Sequence, residues 1–310
     1  MRSPCFTTGV FAATLLLFAG CSAAKEDSAP VLRGDAGVDG GLPLDAGDPD
    51  PDGGIGLDAL PDGGGVTVPE CPEELKQIYV ISNTNDFYRF DPAKLTMTSI
   101  GKVKCPSSAS PFSMAVDRKG TGWVLFNDGH MFHVSTKDAS CKATSFAPDQ
   151  AGFHTFGMAF ATDGVGSTSE TLYVANYDGS GIAKIDSTSL KLSSIGSYGD
   201  PSATAAELSG TGEARLFAFF NDTPTRVAEV NRATGKILTS KNVPGVTVGS
   251  GWAFAHWGGD FWLFTAPFLG SQVTQYDFTK GTAKTVLSGL TYTIVGAGVS
   301  TCAPTAPPPK

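Results

Sequence analysis

Three ionisable residues, Asp117, Glu207 and His256, hold the same kind of place in short runs of small and apolar residues: Ser113-Met114-Ala115-Val116, Ala205-Ala206-Glu207-Leu208 and Trp252-Ala253-Phe254-Ala255. Two carboxylates and an imidazole around one opening can hold a divalent metal or perform acid–base work. By phase, Asp117 and His256 are equivalent and Glu207 lies two residues earlier; the competing reading is a wet channel lined by ordinary polar groups. A second set, Asn83, Asn127, Asn176 and Asn221, follows successive apolar runs. These amides can bind glycan hydroxyls or cations, or they can serve hairpins, as Asn127-Asp128-Gly129 suggests. Trp252 and Trp257 form a third set, with no aromatic counterparts at the same phase. Exposed, they would stack on a sugar or anchor a protein partner; buried, they are core. His130 and His133 are three apart in a strand and so point to opposite faces, a poor metal pair, and His154 falls in a loop. No Gly-x-Ser-x-Gly elbow, His-Glu-x-x-His helix or P-loop occurs.

The elements that must position these residues emerge from an internal repeat. One five-residue form (apolar, any, polar, apolar, turn residue) begins at Phe87, Met131, Ile182, Val227 and Val273, with spacings of 44, 51, 45 and 46 residues. That is the period of a β-propeller blade. An apolar run precedes each copy: Ile78 to Ile81, Trp123 to Phe126, Leu172 to Ala175, Leu216 to Phe220 and Phe261 to Phe264. A small-residue strand precedes four of those, as an innermost strand requires where blades converge. The first blade lacks one, and Val295-Gly296-Ala297-Gly298-Val299 near the C-terminus supplies it. The spacing therefore predicts an all-β, five-bladed β-propeller closed by the C-terminal strand, which removes an exposed sheet edge. A six-bladed ring would need a further copy of the repeat.

Leu172-Tyr173-Val174-Ala175-Asn176 leading to Ile182-Ala183-Lys184-Ile185-Asp186 resembles a YVTN-type propeller repeat. Pro111 to Asp117 with Gly120 and Trp123 resembles an NHL or lactonase-type strand pair. The resemblance covers roughly residues 77–300 and implies the fold, since propellers host many unrelated activities. Lactonase-type propellers hold a catalytic metal with several carboxylates and an Asn in the channel. Here the matching strands are mostly Ala, Gly, Met and Phe, so that activity does not carry over.

The N-terminus speaks to location. Arg2, an apolar run from Phe6 and small residues form a secretory signal peptide over residues 1–20, too short for a comfortable span. Phe18-Ala19-Gly20-Cys21 resembles a bacterial lipobox, with Phe18 where Leu is usual. The resemblance implies lipid attachment at Cys21, and Ser22-Ala23 resembles the outer-membrane-sorted type. Ordinary secretion with cleavage after Ser22-Ala23-Ala24 is the alternative. Residues 21–70 read as a disordered Asp/Gly/Pro-rich tether. Residues 22–70 carry eleven acidic and two basic groups, whereas residues 71–310 carry nineteen of each. The acidity thus belongs to the tether, which should extend, and the neutral folded part has no footprint for nucleic acid. Asp48, Asp50, Asp52 and Gly53 share the opening spacing of an EF-hand loop, but the closing Glu is missing and position 59 is Ala.

Cys5 leaves with the signal peptide, and four cysteines remain in an exported, oxidising setting. Three pairings are possible. Cys71 precedes the first blade's own segment and Cys302 follows its closing strand, which favours Cys71–Cys302 and leaves Cys105 with Cys141. The organisation expected is 71–304 propeller and 305–310 disordered tail. The function expected is a monomeric, lipid-anchored module of the cell envelope that binds protein or glycan without catalysis and without a cofactor. The alternative is a hydrolase or lyase using a divalent metal near Glu207, His256 and Asp117.

Overall fold

The computed structural model describes residues 71–307. The signal peptide, Cys21, the tether over 21–70 and positions 308–310 lie outside the described residues. Twenty strands form five antiparallel sheets of four, arranged as the blades of a propeller. Among the described residues the only helix is one 3-10 turn, Glu73–Lys76.

Each blade grades from apolar to polar outward. The second strands, such as Ile78–Ser82 and Leu216–Phe220, are buried along their whole length. Outer strands such as Thr96–Lys102 and Ile237–Asn242 are mostly exposed and rich in Thr, Ser and Lys. The sheets are therefore covered on both faces near the axis and wetted at the rim, which the continuous Val/Ile/Phe runs require. Five hydrophobic clusters result, one between each pair of neighbouring blades. Trp123, Tyr173, Phe217 and Trp262 occupy matching places in four of them.

The inner strands are Ile294–Val299, Pro111–Val116, Phe156–Thr162, Ala206–Gly210 and Trp252–Trp257 for blades one to five. The first pairs with Ile78–Ser82, Val80 opposite Ala297, so the C-terminal strand completes the blade that opens the ring. Inner strands pack side by side around the axis. Gly157 lies against Ala206–Glu207 and Gly210 against Phe160–Ala161, so these neighbours run in the same direction.

The ring thus has two unlike faces. On the upper face the chain runs into each inner strand. There the residue that follows the stretch of each second strand paired with the inner strand donates its backbone N–H across the loop: Asn83 to Thr293, Asn127 to Ser110, Tyr177 to Thr155, Asn221 to Ala205 and Ala266 to Gly251. The lower face is crossed by the chain after Val299. Gly258 N–H donates to the Pro304 carbonyl, and the Thr305 hydroxyl donates to Glu213 Oε1 at 2.7 Å. Residues 305–307 lie against the lower face. Cys71–Cys302 and Cys105–Cys141 are both disulfides, closing separations of 231 and 36 residues. The first straddles the closing strand; the second ties the loop leaving blade one to the outer strand of blade two.

Candidate functional site

On the upper face the inner strands open into a cavity of about 280 Å³. Its lining includes Glu207, from the start of blade four's inner strand, together with Pro111, Gly251 and Val295. Phe112, Tyr177 and Trp252 supply aromatic surface, and Asn83 and Asn127 supply amides. Tyr177 is 48% exposed and packs edge-on against Phe112 with ring centroids 5.3 Å apart. Trp252 stands edge-on to Phe219 at 5.8 Å. Asn127 donates its amide to the Ser110 carbonyl and hydroxyl, which leaves its carbonyl oxygen available.

Glu207 is the unusual member. It is 3% exposed, yet it sits on an axis otherwise walled by small residues. Its Oε2 accepts the Ser113 hydroxyl at 2.7 Å, a bond that crosses the channel between blades two and four. Gly157 of the intervening blade makes this possible: a Cβ there would come within 2.6 Å of the Glu207 Cα. The second oxygen, Oε1, has no partner among the described residues. Burial pushes the carboxyl well above its ordinary range, against the smaller opposing pull of Ser113. Burial thus favours the uncharged form of this acid, whose Oε2 accepts from Ser113.

This arrangement opposes stability above the ordinary glutamate pKa. A carboxyl whose pKa is raised by folding is fully tolerated below about 4.3, and it weakens the fold as pH rises toward the folded value, by at most about 1.4 kcal/mol per pH unit. Glu207→Gln removes that titration. The melting temperature of the variant relative to the parent is expected to rise as the pH is raised from 4. A difference independent of pH would show that Glu207 ionises freely in the fold.

The structure separates Glu207 from its expected companions. Asp117 lies four positions beyond Ser113, about 13 Å further along the channel. Its Oδ1 accepts the N–H groups of Lys119 and Thr121, and its Oδ2 accepts the Trp123 indole N–H at 3.2 Å. It is a turn cap on the lower face. His256 is level with Ser209, whose hydroxyl accepts its backbone N–H, and its ring stacks on Phe217 between blades four and five. Among the described residues no three His, Cys, Asp or Glu side chains are grouped to hold a metal. The expected trio is therefore corrected: one member faces the cavity, one caps a turn and one is inter-blade packing.

Burial, and then the charge of Arg215, press the His256 pKa down to about 4, so the ring is neutral at pH 7. The unfolded chain takes up a proton near pH 6.5 that the fold refuses, so stability is full above that value and falls between 6.5 and 4. The loss amounts to about 3 kcal/mol at pH 4. His256→Gln is expected to flatten this part of the acid limb in urea titrations. An unchanged limb would place the sensitivity elsewhere.

The amides and tryptophans also divide. Asn83 and Asn127 face the cavity, whereas Asn176 is buried and donates to Ser180 Oγ within its own turn. Asn221 lies outside the cavity. The true counterpart of Asn83 and Asn127 in blade three is Tyr177, one position on, as its backbone bond to Thr155 shows. Trp252 and Trp257 stand at opposite ends of one strand. Trp257 is buried, donates its indole N–H to the Lys76 carbonyl at 2.6 Å and meets Trp262, so it is core rather than an exposed anchor. His133 packs on Trp123, and His154 hydrogen-bonds Asp149 in its loop.

A larger cavity of about 630 Å³ lies on the flank between blades three and four. Its arginines are already satisfied internally. Arg215 is bidentate on Glu229, and Arg232 donates to the Thr162 and Asp163 carbonyls. The smaller axial cavity, where one carboxyl oxygen of Glu207 has no hydrogen-bond partner, is the better candidate site.

No protein-family model and no curated protein matches the chain. Solved propellers do. A structure of a nidogen/laminin complex aligns at 14% identity and a TM-score of 0.47, covering 72% of this chain and 80% of that one. A protein of unknown function from Bacteroides caccae aligns at 10% and 0.45, covering 72% and 98%. A virginiamycin B lyase from Staphylococcus aureus aligns at 12% and 0.39, covering 70% and 72%. At these values the likenesses carry no argument about activity. No helix among the described residues is long and apolar enough to cross a membrane. The two disulfides point to an oxidising compartment.

Proposed function

We propose that this protein is a lipid-anchored component of the cell envelope that presents its propeller as a non-catalytic binding module, with the ligand seated at the upper channel mouth. The anchor is Cys21 and the spacer is the acidic segment 21–70.

One observation carries the reading. Aromatic surface, free amide groups and a buried acid with an unpartnered oxygen converge at one end of the channel, while chain crosses the other. Ligand pockets have this make-up: apolar walls with a few placed polar groups. The metal-dependent hydrolase alternative loses its support, because Asp117, Glu207 and His256 do not share a space.

The test uses the full-length chain as bait against solubilised envelope, beside Tyr177→Ala and Trp252→Ala. A specific ligand lost in both variants supports the reading. Capture that is indifferent to both would move the binding surface away from the mouth. Cys21→Ser is expected to release the protein from the membrane fraction, and continued membrane retention would remove the anchor.

A further inference from the structure

We infer that the mouth selects an uncharged saccharide, one sugar ring entering the cavity with its polar edge toward Glu207 and its flat face on the aromatic rim; this rests on the mouth being the binding site. Three observations converge on that class. First, the cavity lining contains no Lys, Arg, His or Asp. An anionic ligand would find no cation there, and burying an unpaired charge is strongly unfavourable. A cationic ligand would meet a single carboxyl, whose negative charge burial disfavours.

Second, the free polar groups come as both donors and acceptors. Glu207 Oε1 lacks a partner, the Trp252 indole N–H makes no hydrogen bond within the described residues, and the Asn83 side chain is unengaged. The Asn127 carbonyl oxygen is also open, because that residue's amide is used on Ser110. Hydroxyls, which donate and accept at once, satisfy such a set; a site of this kind rejects ligands that leave its buried groups unpaired. Third, Phe112, Tyr177 and Trp252 give flat apolar surfaces that suit the C–H face of a sugar. The volume of about 280 Å³ is at the lower limit of ligand pockets, so the cavity takes a terminal ring rather than the middle of a chain.

Glu207 also gives the inference a pH signature. The other inner strands bring no charged group to it. Pro111–Val116, Phe156–Thr162 and Ile294–Val299 contain none, and His256 of Trp252–Trp257 is turned into the packing on Phe217. Ser113 is its hydrogen-bond partner. Binding should therefore weaken with rising pH as this one carboxyl ionises.

The full-length protein is applied to an array of cellotriose, maltotriose and N-acetylchitotriose beside tri-galacturonate and chitotriose. Capture of one or more neutral trisaccharides is expected, with at least ten-fold weaker binding for Tyr177→Ala, whose exposed ring can be cut without disturbing the core. Glu207→Gln, which cannot ionise, is expected to abolish this loss of affinity with rising pH. Preference for tri-galacturonate or chitotriose would overturn the inference while leaving a binding mouth intact. A blank array would also overturn it; mouth-dependent capture of an envelope protein would then preserve the broader reading, and no capture of any kind would end both. A Glu207→Gln profile that still falls with rising pH would remove Glu207 from the recognition.

Discussion

Replacing Cys71 and Cys302 by serine is expected to lower the unfolding free energy by about 5 kcal/mol, the larger of the two disulfide effects. The reason is the 231-residue separation that the bond closes. In the unfolded chain this link forbids most of the separations that residues 71 and 302 would otherwise explore. Cys105–Cys141 spans 36 residues, and its removal should lower stability by about 4 kcal/mol on the same basis. Urea titrations of the two double-serine variants give the comparison directly. The ring-closing pair should show the lower midpoint. Equal midpoints, or the reverse order, would mean that strain or residual structure outweighs chain entropy.

Gly157→Ala should be among the most damaging single substitutions in the inner ring, at about 3 kcal/mol, the upper range for overpacking. A methyl at this position meets the Ala206 carbonyl and comes within 2.6 Å of the Glu207 Cα. Both obstacles are backbone, so no side chain can rotate away. Inner strands three and four must move apart, and the Ser113–Glu207 bond across the channel should lengthen with them. Gly164→Ala is the control, because a Cβ there meets nothing within 4 Å. Its stability should stay within about 0.5 kcal/mol of the parent. Two variants of equal stability would show that the inner strands are not held at contact distance.

Much of the fold was legible in the chain because each blade repeats one physical problem. Strands buried on both faces need unbroken apolar runs, and the turns after them need Asn, Asp or Gly, so Phe87, Met131, Ile182, Val227 and Val273 mark time along the sequence. Closure was legible for the same reason: blade one lacked a small-residue strand and the segment Val295–Val299 had no other home.

The site was only half legible. Asn83, Asn127, Trp252 and Glu207 were each visible as candidates, but as members of three separate sets, because sequence does not reveal that they share one opening. Tyr177 was missed, since Asn176 mimics the amide of the neighbouring blades one position early. His256 was misplaced by parity. It lies on the same side of its strand as Trp252 and Phe254, and that side turns into blade packing as the strand twists down the channel. The Ser113–Glu207 bond joins blades that are not neighbours, so it depends on the width of the ring, a quantity that no local pattern encodes.

The pairing of Ile294–Val299 with Ile78–Ser82 also sets the order of events during folding. Hairpins within a blade form from residues close in sequence, but blade one waits for a strand that is synthesised after all the others. Contacts of such long separation are slow to form. Until they do, the Ile78–Ser82 edge is unpaired and apolar, in a chain that has four other sheets able to recruit it. The vulnerable species is therefore a nearly finished ring with one open seam, and the time it spends in that state, more than the stability of the closed ring, should govern how much protein reaches the closed form.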